Sequence, residues 1–380
     1  MGASFAQAAV SYLVLGLPSI GPQLRAHFGL GLPELGALLA TMQVGAGIAL
    51  IPAGQAVDRW GSRASTRVGT AIAVFGMIVG AAANSVALLF VGLVVAGIGS
   101  SIVPVAGAGA IFRVYPAERR AWALGIRQMA VPAGGLVAAA TVPALDAVGG
   151  TRLVLLVGAL LMAVAGTGFA AVSDSERIKH DSSVRIFRGI WHGPGLRRLL
   201  VVTLAYLFML QAVLVSTVPA MRDAGFPAFQ AGLAYFLVNV AAVISRVVWG
   251  RVADLDNGTR RKRSLVETGI MASIGAVLFG FALHSRLFFV LPAVAFFGFA
   301  SLGWNAVVYA LVGEWATPSL AGRAFSVAAT IVFLGAAFVN PLIGGLAQWA
   351  GWDALWAITA VIGVIGATAA AALPRRTAMG

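Results

Sequence analysis

Two arginines stand where the sequence is otherwise apolar. Arg127 interrupts "GIRQMAVPAGG" (125–135) and Arg246 interrupts "AAVISRVVWG" (241–250). A guanidinium is planar, permanently charged and donor-only. It matches the paired oxygens of a carboxylate or phosphate. A charge at the middle of a membrane helix costs at least about 2.5–3.5 kcal/mol on insertion scales, and such residues are usually functional. Arg127 follows Arg120 by seven residues, about 10 Å of helix, and Arg246 precedes Asp254 by eight, about 12 Å. No acid is expected at that depth: Glu267 lies four residues from Arg263, and Glu34, Glu314 and Asp353 fall at the ends of apolar runs. The demand for negative charge would be met by a small anionic substrate. The competing account for Arg127 is snorkelling, a long side chain reaching back to the headgroups.

Other polar side chains in the apolar runs extend the candidate site. Gln128 adjoins Arg127. Tyr235, Asn239, Ala242 and Arg246 are spaced 4, 3 and 4, a single helical stripe that should face a cavity rather than lipid. Tyr12, Gln43, Tyr206, Gln211, Trp304, Asn305, Tyr309 and Asn340 rank lower, because any of them could equally bond a neighbouring helix. Enzymatic chemistry is not expected. The chain has no cysteine, its four histidines (His27, His180, His192, His284) lack ligand spacing, and no nucleophile–base set is visible. Neither metal nor cofactor is implied.

These residues are positioned by membrane helices. The 380 residues are 60% hydrophobic and 10% charged, against about 25% charged in an average soluble domain. Apolar runs of about 20 residues alternate with short charged clusters. Spans are expected near 4–24, 34–57, 66–83, 86–112, 121–145 and 152–173. A second set is expected near 197–221, 227–252, 264–283, 286–312, 322–347 and 352–373. The fold class is an all-α membrane protein of twelve transmembrane helices in two pseudo-symmetric six-helix bundles, 1–173 and 197–380, with a cytoplasmic linker at 174–196. The linker could hold a short amphipathic piece at "RIFRGIWHG". The run that opens near the start is expected to be the first span rather than a cleaved leader. Trp60, Trp191, Trp349 and Trp352 are expected as interface anchors.

The net charge of +13 does not imply nucleic acid, because the basic residues cluster on alternate loops. Of the 26 Lys and Arg, 20 fall on one side. Arg25, Arg152, Arg222 and Arg286 fall on the other, and Arg127 and Arg246 fall within spans. The positive-inside rule then places both termini in the cytoplasm, with the chain in the cytoplasmic (inner) membrane.

The halves repeat one another. "GQAVDRWGSR" (54–63) follows the second span and "GRVADLDNGTRRKR" (250–263) the eighth. "YPAERRA" (115–121) parallels "TPSLAGRA" (317–324), and Pro132-x-Gly-Gly parallels Pro341-x-x-Gly-Gly. Corresponding motifs indicate internal duplication, as in many transporters. In these motifs the chain resembles the major facilitator superfamily. Gly54, Asp58, Arg59, Gly61 and Arg63 match its loop pattern Gly-x-x-x-Asp-Arg-x-Gly-x-Arg/Lys. The second copy matches at Gly250 and Asp254 and then departs, with Leu255 in the first basic place. The resemblance implies a latch that closes the cytoplasmic side. Glu118 with Arg119, and Glu314 with Arg323, look like companion charges. Arg67, Arg120 and the 260–263 cluster are expected to set topology only.

A narrower resemblance concerns "SRVVWGRVAD" (245–254). It looks like the eighth span of the oxalate/formate antiporter and monocarboxylate transporter lines, which implies that Arg246 contacts an anionic substrate. The nitrate-transporter partner is missing, since Leu50 stands at its place. "GIRQMAVPAGG" and "GWNAVVYALVGE" (303–314) look like small-anion permeases, including cyanate-type carriers. In that branch Arg127 would stand across the cavity from Arg246. The expected function is transport of a small organic anion by rocker-switch alternating access, by a monomer in contact with lipid. Coupling by exchange, facilitated diffusion or protons (through the substrate or Glu34) stays open. The alternatives are a proton-coupled exporter and a non-transporting membrane sensor.

Overall fold

A computed structural model describes residues 2–30, 32–173, 194–258, 260–315 and 321–374. The expected linker, with "RIFRGIWHG" and Trp191, lies outside the described residues but for its last positions. The described residues form α1 (Gly2–Gly16), α2 (Gly21–Phe28), α3 (Leu32–Ala81), α4 (Val86–Ser100), α5 (Ile102–Val114) and α6 (Arg120–Ala171). They continue with α7 (Pro194–Asp223), α8 (Ala228–Asp254), α9 (Arg261–Ala282), α10 (Leu287–Leu302), α11 (Trp304–Trp315) and α12 (Ala321–Ala371). Short 3-10 turns at Leu17–Ile20, Ala117–Arg119 and Leu255–Gly258 join some of them.

Among the described residues, nine helical stretches are long and apolar enough to cross a membrane. Three of them are too long to cross once. The 50 residues of α3 would extend about 75 Å at 1.5 Å per residue, against a hydrocarbon core of about 30 Å. A non-helical break solves this in each case. Gly61 in α3 has φ 81, Gly150 in α6 has φ 63, and Gly351 in α12 has φ 83. Only glycine enters this region without steric cost. Divided at these glycines, the described helices fit the expected twelve spans.

The boundaries differ from the sequence expectation in two ways. The polar stretch 58–65 reads as a loop, but it is helical on both sides of Gly61, because its remaining residues tolerate helical geometry. Conversely, the spans expected as single helices at 86–112 and 286–312 are interrupted at Ser101 and Gly303, between α4 and α5 and between α10 and α11. The interruptions fall at corresponding places in the two repeats.

Two compact units emerge from the contacts within the chain. The described residues of the first are 2–114 (save 31), 127–173 and 321–334; those of the second are 115–126, 194–315 (save 259) and 335–374. This grouping departs from chain order at 115–126 and at 321–334.

In the first unit, α3 and α4 meet along a glycine seam. A Cβ on Gly92 would stand 2.7 Å from the Gly76 carbonyl oxygen, and one on Gly69 would stand 2.7 Å from that of Gly99. Between membrane helices the hydrophobic effect offers little drive, so backbone approach of this kind supplies the packing. Ser85 caps α4 by accepting the Leu88 N–H at 3.3 Å. The second unit is packed around aromatic rings instead. Trp356 meets Phe279 edge-on at 4.9 Å and Phe297 at 6.0 Å between centroids, a favoured geometry for aromatic pairs.

Candidate functional site

In the first unit, α6 carries Arg127 into the interior, where it is 2% exposed. Its Nη1 donates to Gln7 Oε1 of α1 at 3.1 Å, and its Nη2 donates to Gln128 Oε1 at 3.3 Å. The Phe325 ring of α12 lies 5.4 Å from the guanidinium carbon, a cation–π distance. α5 makes room with Gly107, where a Cβ would stand 3.1 Å from Arg127 Cδ. Snorkelling is therefore not what this side chain does: its head is held inside the unit. Tyr12, a candidate site residue, instead shares a hydrogen bond of 2.9 Å with Thr141, a bond between helices. Gln43 is half-buried on α3.

In the second unit, Arg246 is 5% exposed. Its Nη1 donates to the Ala242 carbonyl at 3.1 Å. Its Nε has no acceptor, and it enters no ion pair among the described residues. Tyr309 lies close enough to interact with it electrostatically. Asn239 and Tyr235 line up on the same helix, with Asn239 Nδ2 donating to the Tyr235 carbonyl at 2.9 Å. Asn305 is buried and its Oδ1 has no donor, and the Trp304 and Trp249 ring N–H groups likewise have no acceptor. Such unpaired buried groups are rare in native structures and call for an explanation.

Other expected members of the site are placed elsewhere. The Tyr206 hydroxyl donates to the Leu265 carbonyl at 2.5 Å, which ties α7 to α9 and commits the group to packing. Gln211 is half-buried on α7, and Asn340 Oδ1 is buried without a donor on α12.

At the ends of the helices the charges form a different network from the one expected. Asp254 accepts the Ala121 N–H at 3.2 Å and the Trp122 N–H at 2.7 Å. It thereby caps the start of α6, where a carboxylate also complements the helix dipole. Arg261 Nη2 pairs with Asp254 Oδ1 at 2.6 Å, and Arg261 Nη1 pairs with Glu314. Nη2 also reaches the Ala117 carbonyl. Two glycines permit the approach. A Cβ on Gly250 would stand 2.6 Å from the Ala121 carbonyl oxygen, and one on Gly125 would collide with that of Arg246.

This corrects one sequence expectation. Arg261, assigned to topology alone, is 1% exposed and sits between two carboxylates. Glu314 pairs with Arg261, while the Arg323 side chain lies outside the described residues. Glu118 and Arg119, on the turn before α6, form no ion pair among the described residues. In the first repeat Asp58 is 3% exposed and Arg59 is exposed. Gly54 is buried on α3. Arg63 does not pair with Asp58 as a loop companion: its Nε donates to the Ser173 carbonyl at 2.9 Å, at the C-terminal end of α6, where a cation suits the free carbonyls. Arg113 Nη2 donates to Ser62 Oγ at 2.9 Å.

Sequence reasoning missed Gln7 as well as Arg261. The signal for Gln7 was its spacing of four from Ser11, both buried, on the helix that also carries Tyr12. Two apolar grooves of about 470 and 460 Å³ run along α9, against α10 and α12 respectively. Neither includes an arginine, and their linings of Phe, Leu, Ile, Val and Ala suit lipid chains rather than a polar solute.

Long apolar helices with charges confined to their ends and to interior polar clusters are the architecture of a multi-pass membrane transporter. The profile of the Major Facilitator Superfamily matches residues 3–305, and the chain belongs to that superfamily. An uncharacterised MFS-type transporter of Mycobacterium tuberculosis (strain CDC 1551 / Oshkosh) is 26% identical over 358 residues, covering 92% of this chain and 79% of that one. Among solved structures, the proton:xylose symporter XylE is similar with a TM-score of 0.79 at 16% identity, covering 98% of this chain and 95% of that one. The human organic anion transporter MFSD10 also gives 0.79, at 14% identity over 97% and 98%. FucP in its outward conformation gives 0.77, at 14% over 98% of both chains. At these identities the likeness is one of fold.

Proposed function

We propose that this transporter moves a small organic anion, of the carboxylate kind, by alternating access. One observation carries the reading. Arg246 is buried, its Nε lacks an acceptor, and no carboxylate pairs with it among the described residues. A buried charge left unpaired is costly, and a substrate carboxylate would supply both the opposite charge and the missing acceptors. Tyr309, Asn305, Asn239 and Tyr235 are the polar neighbours that would orient the substrate in the second unit. Taken by itself, the first unit offers Arg127 and Gln128 as candidate donors to an anion. The description of MFSD10 as an organic anion transporter is compatible with this assignment and carries no weight beyond the fold.

Gating follows from the same chain of residues. Asp254, Arg261 and Glu314 would break and remake their contacts as the cytoplasmic side opens and closes, with Asp58 and Arg63 serving the first repeat. The clustering of basic residues on alternate loops supports a cytoplasmic assignment for that side and for both termini.

The test is uptake into proteoliposomes of radiolabelled formate, acetate, pyruvate and oxalate. The wild type is expected to take up at least one of them. Arg246→Ala should abolish that uptake while the protein still elutes as a single folded species. Normal uptake by the mutant would remove Arg246 from the mechanism. Transport of a lipophilic cation instead would favour a drug exporter.

A further inference from the structure

Arg246 shares its surroundings with a break in a membrane helix. α10 ends at Leu302 and α11 begins at Trp304. A Cβ on Gly303, between them, would collide with Trp249 Cδ1 of α8 and stand 2.8 Å from the Ser245 carbonyl oxygen. α11 therefore starts against the turn of α8 that carries Arg246. Further along α11, Tyr309 interacts electrostatically with Arg246. Asn305 lies between these two contacts, four residues before Tyr309 and on the same helical face. Irregular backbone inside a membrane span is tolerated only where protein buries it or a cavity wets it. Here protein alone does not satisfy the polar groups. Ser301 Oγ, the Trp249 and Trp304 ring N–H groups and Asn305 Oδ1 are buried around the break with no hydrogen-bond partner.

These atoms are not all of one kind. Arg246 Nε and the indole N–H groups are donors, which carboxylate oxygens can meet. Asn305 needs a donor as well. It is 6% exposed, and its side chain enters no hydrogen bond among the described residues. A carboxamide turned end for end still carries one donor and one acceptor, so an unmet acceptor remains whichever end is oxygen. A carboxylate has no proton to give it. An ammonium group would bring a second positive charge beside Arg246, a costly juxtaposition. A hydroxyl donates without charge, and its oxygen can accept an N–H at the same time. We propose, on the footing of the anion reading above, that the substrate is a hydroxycarboxylate, whose carboxylate is held by Arg246 and whose hydroxyl donates to Asn305. Asn305 is thus the residue that separates hydroxylated acids from plain ones.

Glycolate and acetate differ by that hydroxyl alone. In proteoliposomes the wild type should take up glycolate with a Vmax/KM about tenfold or more above that for acetate, since a site built to bond a hydroxyl rejects the analogue that lacks it. Asn305→Leu, close in size, removes the acceptor and should bring the two anions to near parity. It should not lower the thermal midpoint, because it removes a buried polar atom that has no partner. Asn305→Ala carries the same expectation for the ratio should the leucine variant fail to fold. Stabilisation of the detergent-solubilised protein by each anion reads the same preference without transport, and serves where a variant no longer cycles. A glycolate preference that survives in both variants overturns Asn305 as the reader of the hydroxyl. Equal uptake of glycolate and acetate by the wild type, as a water in place of the hydroxyl would give, overturns the inference and leaves the anion reading standing. Uptake of formate, acetate, pyruvate or oxalate with none of glycolate does the same. Uptake of none of the five overturns both.

Discussion

Asp254 accepts the backbone N–H of Trp122 at 2.7 Å, so the carboxylate that ends α8 also begins α6. Arg261 neutralises that carboxylate and pairs with Glu314 as well. The three side chains are nearly buried, at 7%, 1% and 10% for Asp254, Arg261 and Glu314. Removing one member of a buried ionic set strands the others, at a cost of about 3–5 kcal/mol. Replacing the set with apolar groups of similar volume can be neutral. Asp254→Ala should therefore lower the thermal midpoint in detergent sharply, through the lost cap and the stranded Arg261. The combined Asp254→Leu, Arg261→Met, Glu314→Leu variant should be less destabilised than the sum of its single changes, by an interaction energy of about 0.5–3 kcal/mol. Additive losses across the series, measured by thermal melts, would mean that the three do not act as a unit.

Much of this network could be read in the sequence, and the part that could not has a physical cause. Gly250 and Asp254 were visible because glycine and acid at fixed spacing mark a close approach beside a helix end. Arg261 was not, because one basic residue among Arg260, Arg261, Lys262 and Arg263 cannot be singled out by type. Only the turn at Leu255–Gly258 decides which of the four points inward. Arg127 and Arg246 stood out because charge inside an apolar run has so few explanations. Gln7 did not, because a neutral polar residue near a helix start has many. The helix boundaries show the same limit. Polar residues at 58–65 suggested a loop, yet a single positive φ at Gly61 suffices for the turn, and hydropathy does not report φ.

The glycines of α3 and α4 make a second prediction, with an internal control. A Cβ on Gly76 would stand 2.6 Å from the Gly92 carbonyl oxygen, and closer still to the Ala96 nitrogen. These are backbone atoms within helices and cannot move aside singly. Gly76→Ala should destabilise the first unit by about 1–3 kcal/mol, the usual cost of overpacking. Gly344, in α12, has nothing within 4 Å of where its Cβ would be. Gly344→Ala should be neutral or slightly stabilising, since alanine is favoured over glycine in a helix by up to about 1 kcal/mol. Thermal melts of the two variants in the same detergent check the contrast, and equal effects would show that the seam is not what limits stability.

The two tyrosines Tyr206 and Tyr309 should separate packing from binding. Both are buried, at 1% and 2% exposure, and the sequence alone ranks them together. The Tyr206 hydroxyl is spent on the Leu265 carbonyl at 2.5 Å. Tyr206→Phe removes one neutral hydrogen bond and should cost about 0.5–1.5 kcal/mol of stability, with KM unchanged. Tyr309 interacts electrostatically with Arg246, and in the site proposed above its hydroxyl would donate to a ligand oxygen. A hydrogen bond to a charged group contributes about 1.5–3 kcal/mol, so Tyr309→Phe should raise KM for the preferred carboxylate about tenfold or more. Uptake kinetics and melts on both variants decide the matter: an effect of Tyr206→Phe on KM, with none from Tyr309→Phe, would move the substrate away from Arg246 and toward the interface of α7 and α9.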